Sequence, residues 1–135
     1  MFNFRFGKSP AIRTVEPALR STFTDAEIAV MAELGTVTHI GTGAELIAEG
    51  TEGDVAFLLA AGTAEVSRSG EVVATLRRGD MVGERALITG EPRNATVRAR
   101  MPVTALSFDR RQFGWLQLES DKIKTMSRTL ATARS

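Results

Sequence analysis

Gly83-Glu84-Arg85-Ala86-Leu87 followed, after a short loop, by Pro92-Arg93-Asn94-Ala95-Thr96-Val97 is the part of this chain best equipped for chemistry. Gly83 opens a segment able to start a helix. Amide groups at a helix start point outward and the helix dipole favours an anion there, so such a segment binds phosphate. Arg93 follows ten residues later, inside a Pro-Arg-Asn-Ala turn. Its guanidinium fork supplies compensating charge and fixes the anion's orientation. Glu84 adds an acceptor suited to a hydroxyl-bearing partner such as ribose. Gly83 lets backbone approach closely, and Ala86 is small enough to leave the cradle open, although helix propensity alone also accounts for it. Together these residues describe a pocket for a small sugar phosphate. Plainer roles stay open for each: Arg93 as the ion-pair partner of Glu84 or another carboxylate, Gly83 as a turn glycine, Leu87 as core. Arg85 has three destinations: solvent, the phosphate, or Glu91.

The elements around this window must hold it in place. Thr24-Asp25-Ala26-Glu27 has capping-box spacing. Ile28, Met31 and Ala32 then share a face, which predicts an amphipathic helix over 25–34 ending near Gly35. From Thr36 to Asp109 short runs rich in Val, Ile, Leu and Thr alternate with glycines at 41, 43, 50, 53, 62, 70, 79, 83 and 90. That punctuation predicts many short strands joined by tight turns. Ser69-Gly70 reads as the turn of a hairpin joining Glu65–Arg68 to Glu71–Leu76. The fold class is therefore mainly β with flanking helices: an antiparallel β-roll or jelly-roll barrel over about 36–109, with one helix before it and two after it. Asp109, with Gln112 three residues on, caps a helix running to about Leu118. Ser120 caps a last helix in which Ile123, Met126, Leu130 and Ala133 form an apolar stripe. The stripe is suited to packing on the barrel, to a lid, or to a homodimer seam.

With 135 residues the chain is expected to be one domain over 15–135, preceded by a basic, aromatic tail over 1–14 with three phenylalanines. The tail reads as a segment that packs a ring or two on the domain or on a dimer mate; it is short for a membrane-surface anchor. There are no cysteines, which excludes disulfides and thiolate chemistry and favours a reducing, cytoplasmic setting. A net charge of +1 argues against a strongly basic nucleic-acid surface. No apolar run approaches a membrane span, and the first residues lack a secretory signal's apolar stretch. His39 is the one histidine and has no metal-ligand spacing near it. No nucleophile elbow is present either. An enzyme is not expected, nor a metal, nor a cofactor.

Residues 83–97 closely resemble the phosphate-binding cassette of the cyclic-nucleotide-binding domain family. Gly83, Glu84, Ala86, Leu87, Pro92, Arg93, Ala95, Thr96 and Val97 match the family pattern. Arg85 stands where an apolar residue is more usual, and Asn94 where Ser, Thr or Ala is. Ile47-Ala48-Glu49-Gly50, Phe57-Leu58-Leu59-Ala60-Ala61-Gly62 and Leu76–Glu84 look like the family's early strand and glycine, its core strand and turn, and its approach to the cassette. The resemblance covers about 20–133. It implies that Arg93 contacts the cyclic phosphate, that Glu84 accepts from the ribose 2′-hydroxyl, and that Gly83, Arg85, Ala86, Asn94 and Ala95 line the ligand. It also implies that Leu87 relays closure to the C-terminal helices, and that a purine needs apolar walls, for which Leu76 and Val82 are placed, with Met126 or Thr129 as a lid. Asn94 sits where the family separates adenine from guanine, and it donates and accepts alike. The implied ligand is cAMP, the commoner one among small bacterial-type members, with cGMP the alternative. Family transcription factors carry a helix-turn-helix after the long helix, and no residues remain for one before Ser135. The expectation is a stand-alone regulatory module acting on an unknown protein partner. The competing readings are an effector-domain fragment and a degenerate fold that serves protein interaction.

Overall fold

The computed structural model describes residues 17–120. The tail over 1–14, the last predicted helix with its apolar stripe, the dimer seam and the lid residues Met126 and Thr129 lie outside the described residues. A helical turn at 17–19 leads to helix α1 (Asp25–Leu34). The predicted capping box is present: Glu27 N–H donates to Thr24 Oγ1 at 3.1 Å and Thr24 N–H donates to Glu27 Oε1 at 2.9 Å. Two of the orphan amides at the helix start are thereby satisfied reciprocally. Ile28, Met31 and Ala32 are its buried face.

Among the described residues eight strands follow: β1 (Thr36–Ile40), β2 (Glu45–Ile47), β3 (Val55–Ala61), β4 (Ala64–Arg68), β5 (Glu71–Leu76), β6 (Met81–Val82), β7 (Thr96–Ala99) and β8 (Val103–Asp109). A short helix, α2 (Glu84–Thr89), interrupts them after β6, and α3 (Arg110–Glu119) follows β8. The strands form two four-stranded antiparallel sheets, ordered β1-β8-β3-β6 and β2-β7-β4-β5. This is the expected antiparallel roll with flanking helices. The β4–β5 hairpin turns on Ser69 and Gly70, with φ of 51° and 83°. Two left-handed residues in a two-residue loop match the right-handed twist of the flanking strands.

Among the described residues two apolar clusters make up the interior. One lies inside the roll and contains Ile47, Leu59, Leu76, Val82, Ala95, Val97 and Ala105. The other lies between the first sheet and the helices and contains Leu19, Met31, Leu58, Met81, Leu87, Leu106, Phe108, Phe113 and Leu116. Strands β3 and β8 serve both. Ala56, Leu58 and Ala60 face the helices while Phe57 and Leu59 face the roll; in β8, Leu106 and Phe108 face one way and Ala105 the other. Burial on both faces explains why β3 reads as an unbroken apolar run where a half-exposed strand would alternate. Asp109 caps α3 with Gln112 as the sequence predicts, each group bonding the other's backbone amide. Ser120, at the end of α3, donates from Oγ to Glu27 Oε2 at 2.8 Å, tying that end to the start of α1.

Candidate functional site

The window 83–97 runs from the end of β6 through α2 into β7, and α2 packs against β3. Gly83 is the N-cap of α2 in a left-handed conformation, φ 90°. A Cβ there would lie 2.9 Å from both Arg93 Nη1 and the Val55 carbonyl, so glycine is required on two counts, conformation and space. Helix α2 buries Glu84, Ala86 and Leu87 and ends at Gly90, again left-handed, whose N–H returns to the Ala86 carbonyl.

Arg93 is held at both ends. Its backbone N–H donates to the Thr51 carbonyl and its own carbonyl accepts from Gly50 N–H, each at 2.8 Å. Its guanidinium is buried, 7% exposed. Nη1 donates to the Gly83 carbonyl at 2.6 Å and Nη2 to the Val55 carbonyl at 2.5 Å. Burial pushes this guanidinium below its ordinary pKa, and the charges of Asp54 and Glu84 offset part of that cost. An arginine starts so far above neutral pH that it keeps its proton. Two carbonyls occupy two of five N–H donors, so the fork retains donors to offer an anion. Glu84 is fully buried. The pocket therefore joins a desolvated cation to a desolvated carboxylate, the pair of charges a phosphate-and-hydroxyl ligand needs.

Of the other residues named from sequence, Ala86 is buried beside Arg93, and Ala95 is buried in the roll. Asn94 is half-buried. Leu76 and Val82 belong to the roll cluster, whereas Leu87 joins the helix-side cluster. The cassette thus has a side chain in each core. Of the three destinations open to Arg85, the structure takes the Glu91 one: the two side chains form an ion pair. Thr89 reinforces that corner, donating from Oγ1 to the Arg85 carbonyl at 2.9 Å and accepting from Glu91 N–H at 3.1 Å. With Glu91 more than half exposed, Arg85→Ala should cost less than about 1 kcal/mol of stability. It should also change affinity for a sugar-phosphate ligand only a few-fold, measured by titration calorimetry; a loss of tens-fold would place the Arg85 guanidinium on the ligand.

Sequence reasoning missed the segment that frames Arg93 from the other side. Gly53, Asp54 and Val55 precede and begin β3. Gly53 is buried, and a Cβ on it would come within 2.5 Å of the Arg93 Cζ and 2.7 Å of the Ala86 Cβ. Gly53 was visible only as one more glycine in a glycine-rich stretch. Arg110 was also missed. From the first turn of α3 it donates from Nη1 to the Leu87 carbonyl at 2.7 Å and from Nη2 to the Gly53 carbonyl at 3.3 Å. One side chain of α3 therefore holds both the cassette helix and the loop that packs on Arg93. Among the described residues no group of three or more His, Cys, Asp or Glu is placed to hold a metal, and no helix is long and apolar enough to cross a membrane.

Residues 37–120 match the family model described as the cyclic nucleotide-binding domain. A cGMP-dependent protein kinase of Toxoplasma gondii is 38% identical over 87 residues, 64% of this chain and 9% of the relative. A cAMP-dependent protein kinase regulatory subunit of Schizosaccharomyces pombe is 33% identical over 108 residues, 79% of this chain and 24% of the relative. The chain thus spans at most about a quarter of the length of these relatives. A solved structure of PKAR CBD2 with Sp-2Cl-cAMPS bound superposes with a TM-score of 0.70 at 27% identity, covering 91% of this chain and 84% of that one. The family match lies over the strands and the cassette, and the chain belongs to the cyclic-nucleotide-binding domain family.

Proposed function

We propose that this chain binds a cyclic nucleotide, cAMP in preference to cGMP, and acts as a regulatory module that passes the binding event to a protein partner. The observation that carries the reading is the Arg93 guanidinium, buried beside Glu84 and held in place by the carbonyls of Gly83 and Val55. In this reading Arg93 takes an exocyclic phosphate oxygen and Glu84 the ribose 2′-hydroxyl. Gly83, Ala86 and Ala95 keep the cradle open. Asn94 meets the base end, and Leu76 and Val82 act from the roll cluster beneath the site. The tie from Arg110 to Leu87 and Gly53 gives α3 a direct mechanical stake in how the cassette sits. Ligand shifts that arrangement only if it binds one setting of the cassette more tightly than another. A homodimer, a cytoplasmic location and the absence of catalysis belong to the same proposal.

A second reading has its own observation. Arg93 already bonds two protein carbonyls, so it stabilises the loop whether or not a ligand arrives. A member of the fold that serves only protein interaction would keep Arg93 for that reason. Calorimetric titration with cAMP and cGMP separates the two. Saturable heat with the tighter constant for cAMP is expected. Tighter cGMP overturns the base preference, and no heat or thermal shift with either nucleotide overturns the binding reading.

A further inference from the structure

Helices α1 and α3 leave a groove of about 300 Å³ between them on the outer surface, lined by Val30, Leu34 and Trp115 and rimmed by Glu33 and Glu119. Trp115 is 51% exposed and Leu118, one helical turn on, 76%. An exposed indole beside two aliphatic side chains, edged by two carboxylates, is an unsatisfied apolar surface with a negative rim. The groove lies on the helix side of the domain and contains none of the cassette residues.

We propose that this groove is the docking site of the chain's own N-terminal segment, residues 1–14. Phe2, Phe4 and Phe6 alternate with other residues, so in an extended chain their rings fall on one side. The segment carries Arg5, Lys8 and Arg13 and no acidic residue, and so complements Glu33 and Glu119. Length is no obstacle. Residue 17 lies near the start of α1, the groove lies along that ten-residue helix, and an extended chain covers about 3.3 Å per residue. The segment after Ser120 is also basic, with Lys122, Lys124, Arg128 and Arg134, but it contains no aromatic ring and begins with Asp121. Phenylalanine packed against Trp115 gains aromatic contact beyond area burial, and that favours the N-terminal segment.

Trp115 is the chain's single tryptophan and there is no tyrosine, so its emission reports the groove alone. The test uses the full-length chain throughout. Replacing Phe2, Phe4 and Phe6 together by serine should shift the emission to the red and roughly double the acrylamide quenching constant as the indole loses its cover. The paired charge reversal Glu33→Lys with Glu119→Lys, at two exposed positions, should produce the same change without touching the tail. Ile123→Ser with Met126→Ser should leave emission and quenching as in the wild type. Circular dichroism on each variant confirms that the roll is intact. A response to the Ile123 and Met126 pair with silence from the phenylalanines overturns the proposal in favour of the C-terminal segment. Emission that depends on protein concentration, with silent phenylalanines, overturns it in favour of a second copy. No response from any variant overturns it outright.

Discussion

Arg93→Ala is expected to weaken cyclic-nucleotide binding by roughly 30- to 4,000-fold, the equivalent of about 2–5 kcal/mol for truncating one partner of a buried, hydrogen-bonded charge pair. The substitution removes the fork from the proposed phosphate position and leaves Glu84, fully buried, without the nearby cation that offsets its charge. It also strips donors from the Gly83 and Val55 carbonyls, so the ligand-free protein should lose about 1–3 kcal/mol in denaturant unfolding. Arg93→Lys separates the two effects. It keeps a charge but not the planar fork, so affinity should fall between the wild type and the alanine variant. Titration calorimetry and unfolding on the same samples decide the outcome. A wild-type affinity in Arg93→Ala would remove the guanidinium from the binding reaction altogether.

Gly53→Ala should be nearly as damaging, although a methyl group is all it adds. The new Cβ would sit 2.5 Å from the Arg93 Cζ and 2.7 Å from the Ala86 Cβ. Neither neighbour has an easy retreat. The guanidinium is tied to two carbonyls, and Ala86 is buried in α2. Overpacking of this kind costs about 1–3 kcal/mol. Relief by displacing the guanidinium would move it off the proposed phosphate position, so affinity should fall together with the thermal midpoint. Gly70→Ala is the useful contrast. That glycine has a positive φ of 83° but open space around it, in the β4–β5 hairpin turn, so the substitution should strain that turn and leave the position of Arg93 alone. Equal affinity loss in both variants would show that loop strain, and not contact with Arg93, is what matters.

Local features were readable and distant ones were not, and the site shows why. The boxes at Thr24 and Asp109 each depend on a partner three residues away, so the spacing alone revealed them. The hairpin at Ser69-Gly70 is equally local. The cassette is contiguous enough that its residue types carried the pattern. Arg93, however, bonds Val55 across 38 residues, and Arg110 bonds Gly53 across 57. No periodicity or spacing rule reports such pairings, because only the closed roll brings the two segments together. Leu76 and Val82 show a different limit. Their apolar character marked them as wall or core, and the structure places both in the roll cluster, yet nothing local said which of the two interiors each would enter. The Arg85–Glu91 pair was one of three options that residue types alone left open.

Strands β3 and β8, walled on both faces, set how this sequence can drift. A substitution at Leu58 or Phe108 answers to the helices and one at Leu59 or Ala105 to the roll, but each sits in a backbone shared by both cores. A change of volume on one side shifts the strand and is felt on the other, so accepted replacements there should be compensated in pairs across the strand. The edge strand β5, with Val72 and Val73 about half exposed, is under no such double account. In a collection of descendants of this chain, variation should gather along the β5 edge, and correlated changes should gather along β3 and β8.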